Sequence, residues 1–349
     1  MLYNYVQDNI IRLICQINVK LKIMNKKIID SFINSLGKDK NNPTILSDFK
    51  FKTKNKNQLL AFLKPEVFLN KSAEEVEKIM KLVFDKLEKY EVSVDGTALF
   101  PGSVIGKYEI MDRHYGVINT LSKNASKILS KEEKGLVFKT LGIKNENTRI
   151  LGGHEAFEIA GFNKTYDFDN YWLEAKSEKI KSGFYVRTMK INSEKVVVVD
   201  GFHPHQLAHY TETDRHLGVM LVSSNTSWSK LRDEMLGVTF PQDAHLDSIR
   251  GILHHHANEY GFDKVGIENN IMHLSAGPTE ALFEIDNFLN SPFGIDFIEK
   301  QAKLAQELLL AGVSKENIKK ILSDKELHNE LEHKDTDEAV ETIKKKFKI

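Results

Sequence analysis

Cysteine is nearly absent: Cys15 is the single one among 349 residues, so neither an internal disulfide nor a cysteine-based zinc site can be built. Prolines number 7 and glycines 20, which excludes collagen-like and Pro/Gly-rich disordered chains. There is no excess charge of either sign, because 49 basic residues offset 49 acidic ones. No global field therefore draws the chain to nucleic acid or to an anionic membrane, and an anionic ligand must be met by a local cluster. Long apolar runs are also missing. The stretch Ile10 to Ile23 is broken by Arg12, Gln16, Asn18, Lys20 and Lys22 before it reaches the roughly 20 apolar residues of a membrane span. It does not fit a signal peptide either, since its basic residues lie inside and after the apolar part and no small-residue cleavage site follows. It reads as a helix or as translated upstream sequence with Met24 as the start, and the expected location is cytoplasmic.

What is present is the composition of a folded protein: 41% hydrophobic and 28% charged residues, over a length that suits two compact units or one enlarged by insertions. Residues 38–58 are Lys/Asn-rich and are expected as a linker or mobile lead-in. Gln58 to Leu63 is a short apolar run stopped at Lys64-Pro65, the pattern of a buried strand. Ser72-Ala73-Glu74-Glu75 has capping-box form, and Val76, Ile79, Met80, Val83, Phe84 and Leu87 follow at helical spacing. Glu91 to Phe100, Lys195 to Asp200 and Leu217 to Val222 read as strands, and Ile271 to Leu274 is a further short apolar run. Residues 228–236 and Thr279 to Leu289 read as helical, as does everything from Ile295 onward. Residues 122–185 show no repeat or clear period.

Chemistry concentrates between Lys230 and Glu284. Arg232, Thr239 and Arg250 offer charge-assisted bonds to phosphate oxygens. His273, flanked by Asn270 and Ser275 and followed eleven residues later by Glu284, can be a nucleophile whose second ring nitrogen is oriented by a carboxylate. Three other places compete. Gly102 to Tyr108 approaches a phosphate loop but has three residues between its glycines, and Tyr108 where Ser or Thr would hold magnesium. His203, His205 and His209 near Asp200 have spacing a metal could use, in a segment that looks polar and loop-like, and would suit a metal hydrolase. His254 to His256 more simply decorate a helix or insertion.

Four motifs in order carry a resemblance: Lys64-Pro65-Glu66, Gly237-Val238-Thr239-Phe240-Pro241, Ser248-Ile249-Arg250-Gly251 and Asn270-Ile271-Met272-His273-Leu274-Ser275. Together with the eleven-residue gaps from Thr239 to Arg250 and from His273 to Glu284, they resemble the nucleoside diphosphate kinase family over about 58–120 and 214–290. The resemblance implies an α+β fold, a ferredoxin-like antiparallel sheet covered by helices. Here that domain would occupy 58–290, with an insertion at about 122–213, after an N-terminal extension and linker (1–57) and before a helical C-terminal extension (291–349). It implies that His273 is phosphorylated, that Glu284 holds its ring, and that Lys64, Arg232, Thr239 and Arg250 bind phosphates. Asn270 would meet the ribose hydroxyl, and Tyr115 resembles the tyrosine near the histidine.

The partners so implied are nucleoside di- and triphosphates with Mg2+ held by the phosphates rather than by protein side chains. A homo-oligomer is expected, with neither nucleic acid nor membrane as partner. The chain departs from the family at three places. Arg232 lies seven residues before Thr239 instead of six, Leu274 replaces a glycine, and Ala276-Gly277 replaces Asp-Ser. Leu274 and the shifted Arg232 favour, as a second reading, a catalytically silent nucleotide-binding or regulatory module.

Overall fold

The computed structural model describes residue 19 and residues 21–145, 147–267 and 269–348. Cys15 and most of the stretch from Ile10 to Ile23 lie outside them. Among the described residues nine strands are formed: β1 (Thr44–Ser47), β2 (Asn57–Leu63), β3 (Val92–Pro101), β4 (Ile150–Gly152), β5 (Glu178–Lys181), β6 (Phe184–Ile191), β7 (Glu194–Val199), β8 (His216–Ser224) and β9 (Met272–Leu274). The chain divides into two compact units, one made of residues 1–104 and 214–349 and the other of Ile105–Thr213. Among the described residues no helix is long and apolar enough to cross a membrane.

In the first unit an antiparallel sheet has the order β1-β3-β8-β2-β9. Without the edge strand β1, this is the split β-α-β arrangement expected of a ferredoxin-like domain, and helices flank the sheet. Period-two alternation sorts its side chains. Leu59, Ala61 and Leu63 of β2, with Met220 and Val222 of β8 and Met272 and Leu274 of β9, join one core. The same core takes Val76, Ile79, Met80, Val83, Phe84 and Leu87 from the helix Ala73–Lys89, which starts at the Ser72/Glu75 capping box anticipated from sequence. Phe62 points to the opposite face and stacks on Phe288, which meets Phe100 edge to face. The 21–35 helix adds buried Ile29 and Phe32 to the first face.

The expected linker holds more order than its Lys/Asn content suggests. Thr44 to Ser47 pairs with β3, and Phe49 lies so close to Gly96 that a Cβ there would sit 2.6 Å from its Cα. The glycine coincides with the register shift between Val94 and Gly96, so the bulge and the close approach share one residue.

The C-terminal extension is helical, ending in the helix Thr336–Phe347. Asp335 fastens that helix to the sheet. Its Oδ1 accepts from the Trp228 amide (2.7 Å) and from Asn57 Nδ2 (2.8 Å), its Oδ2 pairs with Lys56 (2.9 Å), and Asn57 Oδ1 in turn accepts from the Thr336 amide (2.9 Å).

The second unit has its own four-stranded sheet, β4-β7-β6-β5, in which β4 runs parallel to β7 and the other pairs are antiparallel. Val197 and Val199 of β7 face a core with Leu121, Ala125 and Val137, while Val196 and Val198 face another with Phe168 and Trp172. The run Val196 to Val199 is therefore apolar throughout because both faces of its sheet are covered. The unit is inserted between β3 and β8, which pair as far as Pro101 with His216, so the chain leaves and re-enters the first sheet at adjacent residues.

Burial alone would raise the Asp335 carboxyl, but Lys56, the Trp228 amide and Asn57 together hold it below its ordinary value. A depressed carboxylate contributes stability that is complete above its unfolded pKa and lost as pH falls through the folded one. Asp335→Ala is expected to cost about 1–3 kcal/mol at neutral pH, because two buried donors lose their acceptor. In urea unfolding the difference from wild type should shrink below about pH 4, near the unfolded aspartate value; a difference independent of pH would contradict the assignment.

Candidate active site

His273 lies on β9 opposite Phe62 of β2, and the two rings stack at 4.6 Å with 16° between their planes. Its side chain keeps 18% of its surface exposed, while Glu284 is fully buried. Glu284 is carried by the helix Pro278–Ile285, which packs on β2. Its Oε1 is 2.6 Å from His273 Nε2 and its Oε2 accepts from Ser275 Oγ at 2.5 Å. Ser275 Oγ also accepts from the Leu60 amide at 3.0 Å, which ties the carboxylate to β2. A carboxylate acceptor on Nε2 selects the tautomer in which that nitrogen bears the proton.

The turn before β9 is strained. Ile271 has φ +53°, an outlier for a β-branched residue, and the Met272 amide reaches back to Asn270 O at 2.8 Å. Such a conformation costs on the order of 1–3 kcal/mol and persists only where its surroundings fix it. Here the Ile271 amide donates to Glu66 Oε1 (2.9 Å) and its carbonyl accepts from the Lys64 amide (2.8 Å). Lys64-Pro65-Glu66 thus holds the turn that aims His273. The Lys64 ammonium itself reaches Asn270 Oδ1 at 2.6 Å.

Two arginines complete the surroundings. Arg250, the second residue of the helix Ile249–His255 capped by Ser248, donates to Gly237 O (2.9 Å) and Met272 O (3.1 Å). Gly237 has φ +95° and a Cβ there would meet Ser248 Oγ at 2.5 Å, so glycine is required on both counts. Arg232 donates to Leu274 O at 2.5 Å. It sits in a π-helix, Leu231–Leu236, where the Gly237 amide bonds back to Arg232 O at 3.0 Å. A π turn holds one residue more than an α turn. From that turn Arg232 reaches β9.

All three cations are held by neutral oxygens among the described residues, and the Nε atoms of Arg232 and Arg250 are buried with no partner there. Burial first, then the neighbouring Arg232, brings Arg250 down to about 9. Burial also lowers Lys64, with Glu66 opposing and Arg250 adding to the effect. His273 is brought down to about 3, by burial above all, with Arg232, Lys64 and Arg250 adding to it and Glu280 opposing. The result is a neutral imidazole beside under-neutralised positive charge, an arrangement suited to a polyanion and to nucleophilic attack by the ring.

Of the residues named from sequence, Lys64, Asn270, Arg250, Arg232, His273 and Glu284 are linked by these contacts. Thr239 is exposed on the loop that Gly237 begins. Tyr115 belongs to the second unit, with its hydroxyl 3.2 Å from that of Tyr210.

The competing sites read differently in three dimensions. His203, His205 and His209 lie on a helix, His203–Thr211, and not on a loop; Pro204 at its first turn starts it. Helical geometry sends residues two apart roughly 200° round the axis. Both nitrogens of His203 are engaged, by Gln206 Oε1 (3.0 Å) and Asn119 Oδ1 (3.2 Å). Gly102–Lys107 is a helix directly after β3, so no phosphate-cradling loop forms. His254 and His255 end the helix Ile249–His255, with His254 Nδ1 3.1 Å from Val265 O.

Sequence reasoning missed Glu280, which accepts from the Ala276 amide next to the site. Its signal was available, since Glu280 and Glu284 are one helical turn apart. It also missed the stacking of Phe62 on His273, which depends on the register of β2 with β9. No protein-family model matches the chain, and none of the curated proteins compared with it matches.

Nitrogen-resolved NMR of the histidine rings tests the electrostatics directly. The His273 ring is expected to stay neutral, protonated on Nε2, from pH 8 down to about 4, because its folded pKa is depressed to about 3. Titration near the ordinary value of about 6.5 would contradict the burial and the cation cluster.

Proposed function

We propose that this protein is a phosphotransferase of the nucleoside diphosphate kinase kind, moving the terminal phosphate of a nucleoside triphosphate to a nucleoside diphosphate through a phosphohistidine on His273. The observation that carries the reading is the 2.6 Å contact between His273 Nε2 and buried Glu284, amid Lys64, Arg232 and Arg250. With Nε2 engaged by Glu284, the phosphoryl group is assigned to Nδ1.

The Nδ1 lone pair attacks the γ-phosphorus in line with the bridging oxygen. The bond from that oxygen to the γ-phosphorus breaks, and its electrons leave with the diphosphate. As the new nitrogen–phosphorus bond forms the ring becomes cationic, and the Glu284 carboxylate on Nε2 stabilises that charge. The leaving diphosphate gathers negative charge toward Lys64 and the two arginines, whose Nε groups have no partner among the described residues and give further donors. The terminal oxygen of a second diphosphate then attacks the phosphorus, the nitrogen–phosphorus bond breaks, and its electron pair returns to Nδ1 to restore the neutral imidazole.

Magnesium enters with the nucleotide as part of the substrate. This fits the donor set, in which Glu284 is committed to the imidazole and Ser275 while the groups around the ring are cationic. Asn270, now bonded to Lys64, is placed in this reading to exchange that contact for the ribose hydroxyl.

Incubation with γ-labelled ATP and magnesium should put acid-labile, base-stable label on the protein, and a chase with GDP or CDP should remove it. His273→Ala should abolish the label, and label retained in that variant removes His273 from the role. Arg250→Ala should weaken nucleotide binding about 10- to 150-fold, corresponding to about 1.5–3 kcal/mol for a charge-assisted bond. Nucleotide binding without any label on the wild-type protein would select the silent binding module instead.

A further inference from the structure

Each of the five residues from Met272 to Ala276 is held by a charged side chain. Arg250 takes the Met272 carbonyl (3.1 Å), Glu284 the His273 ring (2.6 Å), Arg232 the Leu274 carbonyl (2.5 Å) and Glu284 again the Ser275 hydroxyl (2.5 Å). The Ala276 amide donates to Glu280. Four of these contacts belong to residues already assigned a part in the phosphotransfer reading; Glu280 has none. It stands one turn before Glu284 on the helix Pro278–Ile285, so the two carboxyl groups lie on one face of it.

The charged groups facing Glu280 are Glu284 from its own helix, His273 from β9 and Arg232 from the π-helical segment. On the elements packed around that helix, Lys303 is paired with Glu307 (2.7 Å), His328 is bonded to Ile321 O (3.0 Å), Lys344 is paired with Glu341 (2.9 Å) and Lys64 is on Asn270 (2.6 Å). Arg232 is thus the one cation facing Glu280 on the groups named, and it is shared with the Leu274 carbonyl.

We propose that Glu280 is a positioning residue of this site, a proton-holding carboxyl group that sets, beside Glu284, how strongly the His273 ring is stabilised when it becomes cationic. The proposal rests on the reading of His273 as the phosphate carrier. Burial, followed by the neighbouring charge of Glu284, pushes Glu280 up to about 7, so the proton comes and goes in the neutral range. While Glu280 is protonated, Glu284 is the negative charge behind the ring. When Glu280 releases its proton to solvent, a second negative charge appears there and favours the cationic ring that forms as Nδ1 takes the phosphoryl group. Glu280 itself makes no bond to phosphorus.

The test has two parts. In single-turnover labelling with ATP and magnesium, the wild-type rate of phosphohistidine formation is expected to rise several-fold between pH 6 and 8. Glu280→Gln, which keeps an acceptor for the Ala276 amide but cannot ionise, is expected to label at a rate flat over that range. A variant with the wild-type slope overturns the proposal, because a purely structural cap would leave the slope untouched. Independently of activity and without nucleotide, the 15N shift of His273 Nε2 in the wild-type protein should show a step near pH 7 that is missing in Glu280→Gln. A flat wild-type shift overturns the coupling even if the variant does not fold. If the wild-type protein forms no phosphohistidine at any pH, the phosphotransfer reading fails, while the NMR step still decides whether Glu280 is coupled to the ring.

Discussion

The constraint on which this site depends is the gathering of three cations around one imidazole, with neutral oxygens as their hydrogen-bond partners among the described residues. Burying charge is costly unless the group is well hydrogen-bonded. Lys64, Arg232 and Arg250 meet that requirement with neutral oxygens taken from Asn270 and from the backbone around His273 itself. The charges therefore brace the strand that carries His273, and the field they create exists before any ligand arrives. Such preorganisation lets positive charge act on a developing anion without reorganisation at the moment of reaction. The same economy appears in Lys64-Pro65-Glu66, which ends β2 and also supports the strained Ile271 turn.

Local patterns in the sequence exposed the parts of the structure that local physics controls. Gln58 to Leu63 stopped by proline is β2, Ser72 with Glu75 is a capping box, and the valine run is β7. His273, Glu284, Arg250 and Lys64 were legible because their chemistry and spacing occur together. What stayed hidden depends on distant pairings. Asp335 bonds Trp228 and Asn57, 107 and 278 residues away, and no window of sequence reveals that. β1 was lost in a polar stretch because four residues offer too short an alternation to outweigh the lysines and asparagines around them. The histidines of 203–209 suggested a loop site because the segment is polar, whereas Pro204 starts a helix and amides occupy His203.

The π turn at Leu231–Leu236 shows how a linear count can mislead about geometry. It holds one residue more than an α turn, and from it the Arg232 guanidinium meets β9. Insertion on a larger scale follows the same logic. The second unit is placed between two strands whose ends, Pro101 and His216, already pair, so the first sheet closes across the point where the chain departs. Its own sheet is covered on both faces by separate cores, which lets it fold around its own contacts.

The account turns on which imidazole nitrogen meets Glu284 and which attacks phosphorus. Phosphorus NMR of 15N-histidine-labelled protein after exposure to magnesium ATP decides this directly. One phosphoramidate resonance coupled to Nδ1 of His273 is the predicted result. A resonance coupled to Nε2, or the absence of any phosphorus–nitrogen bond at His273, would contradict the role given to Glu284 and with it the proposed reaction.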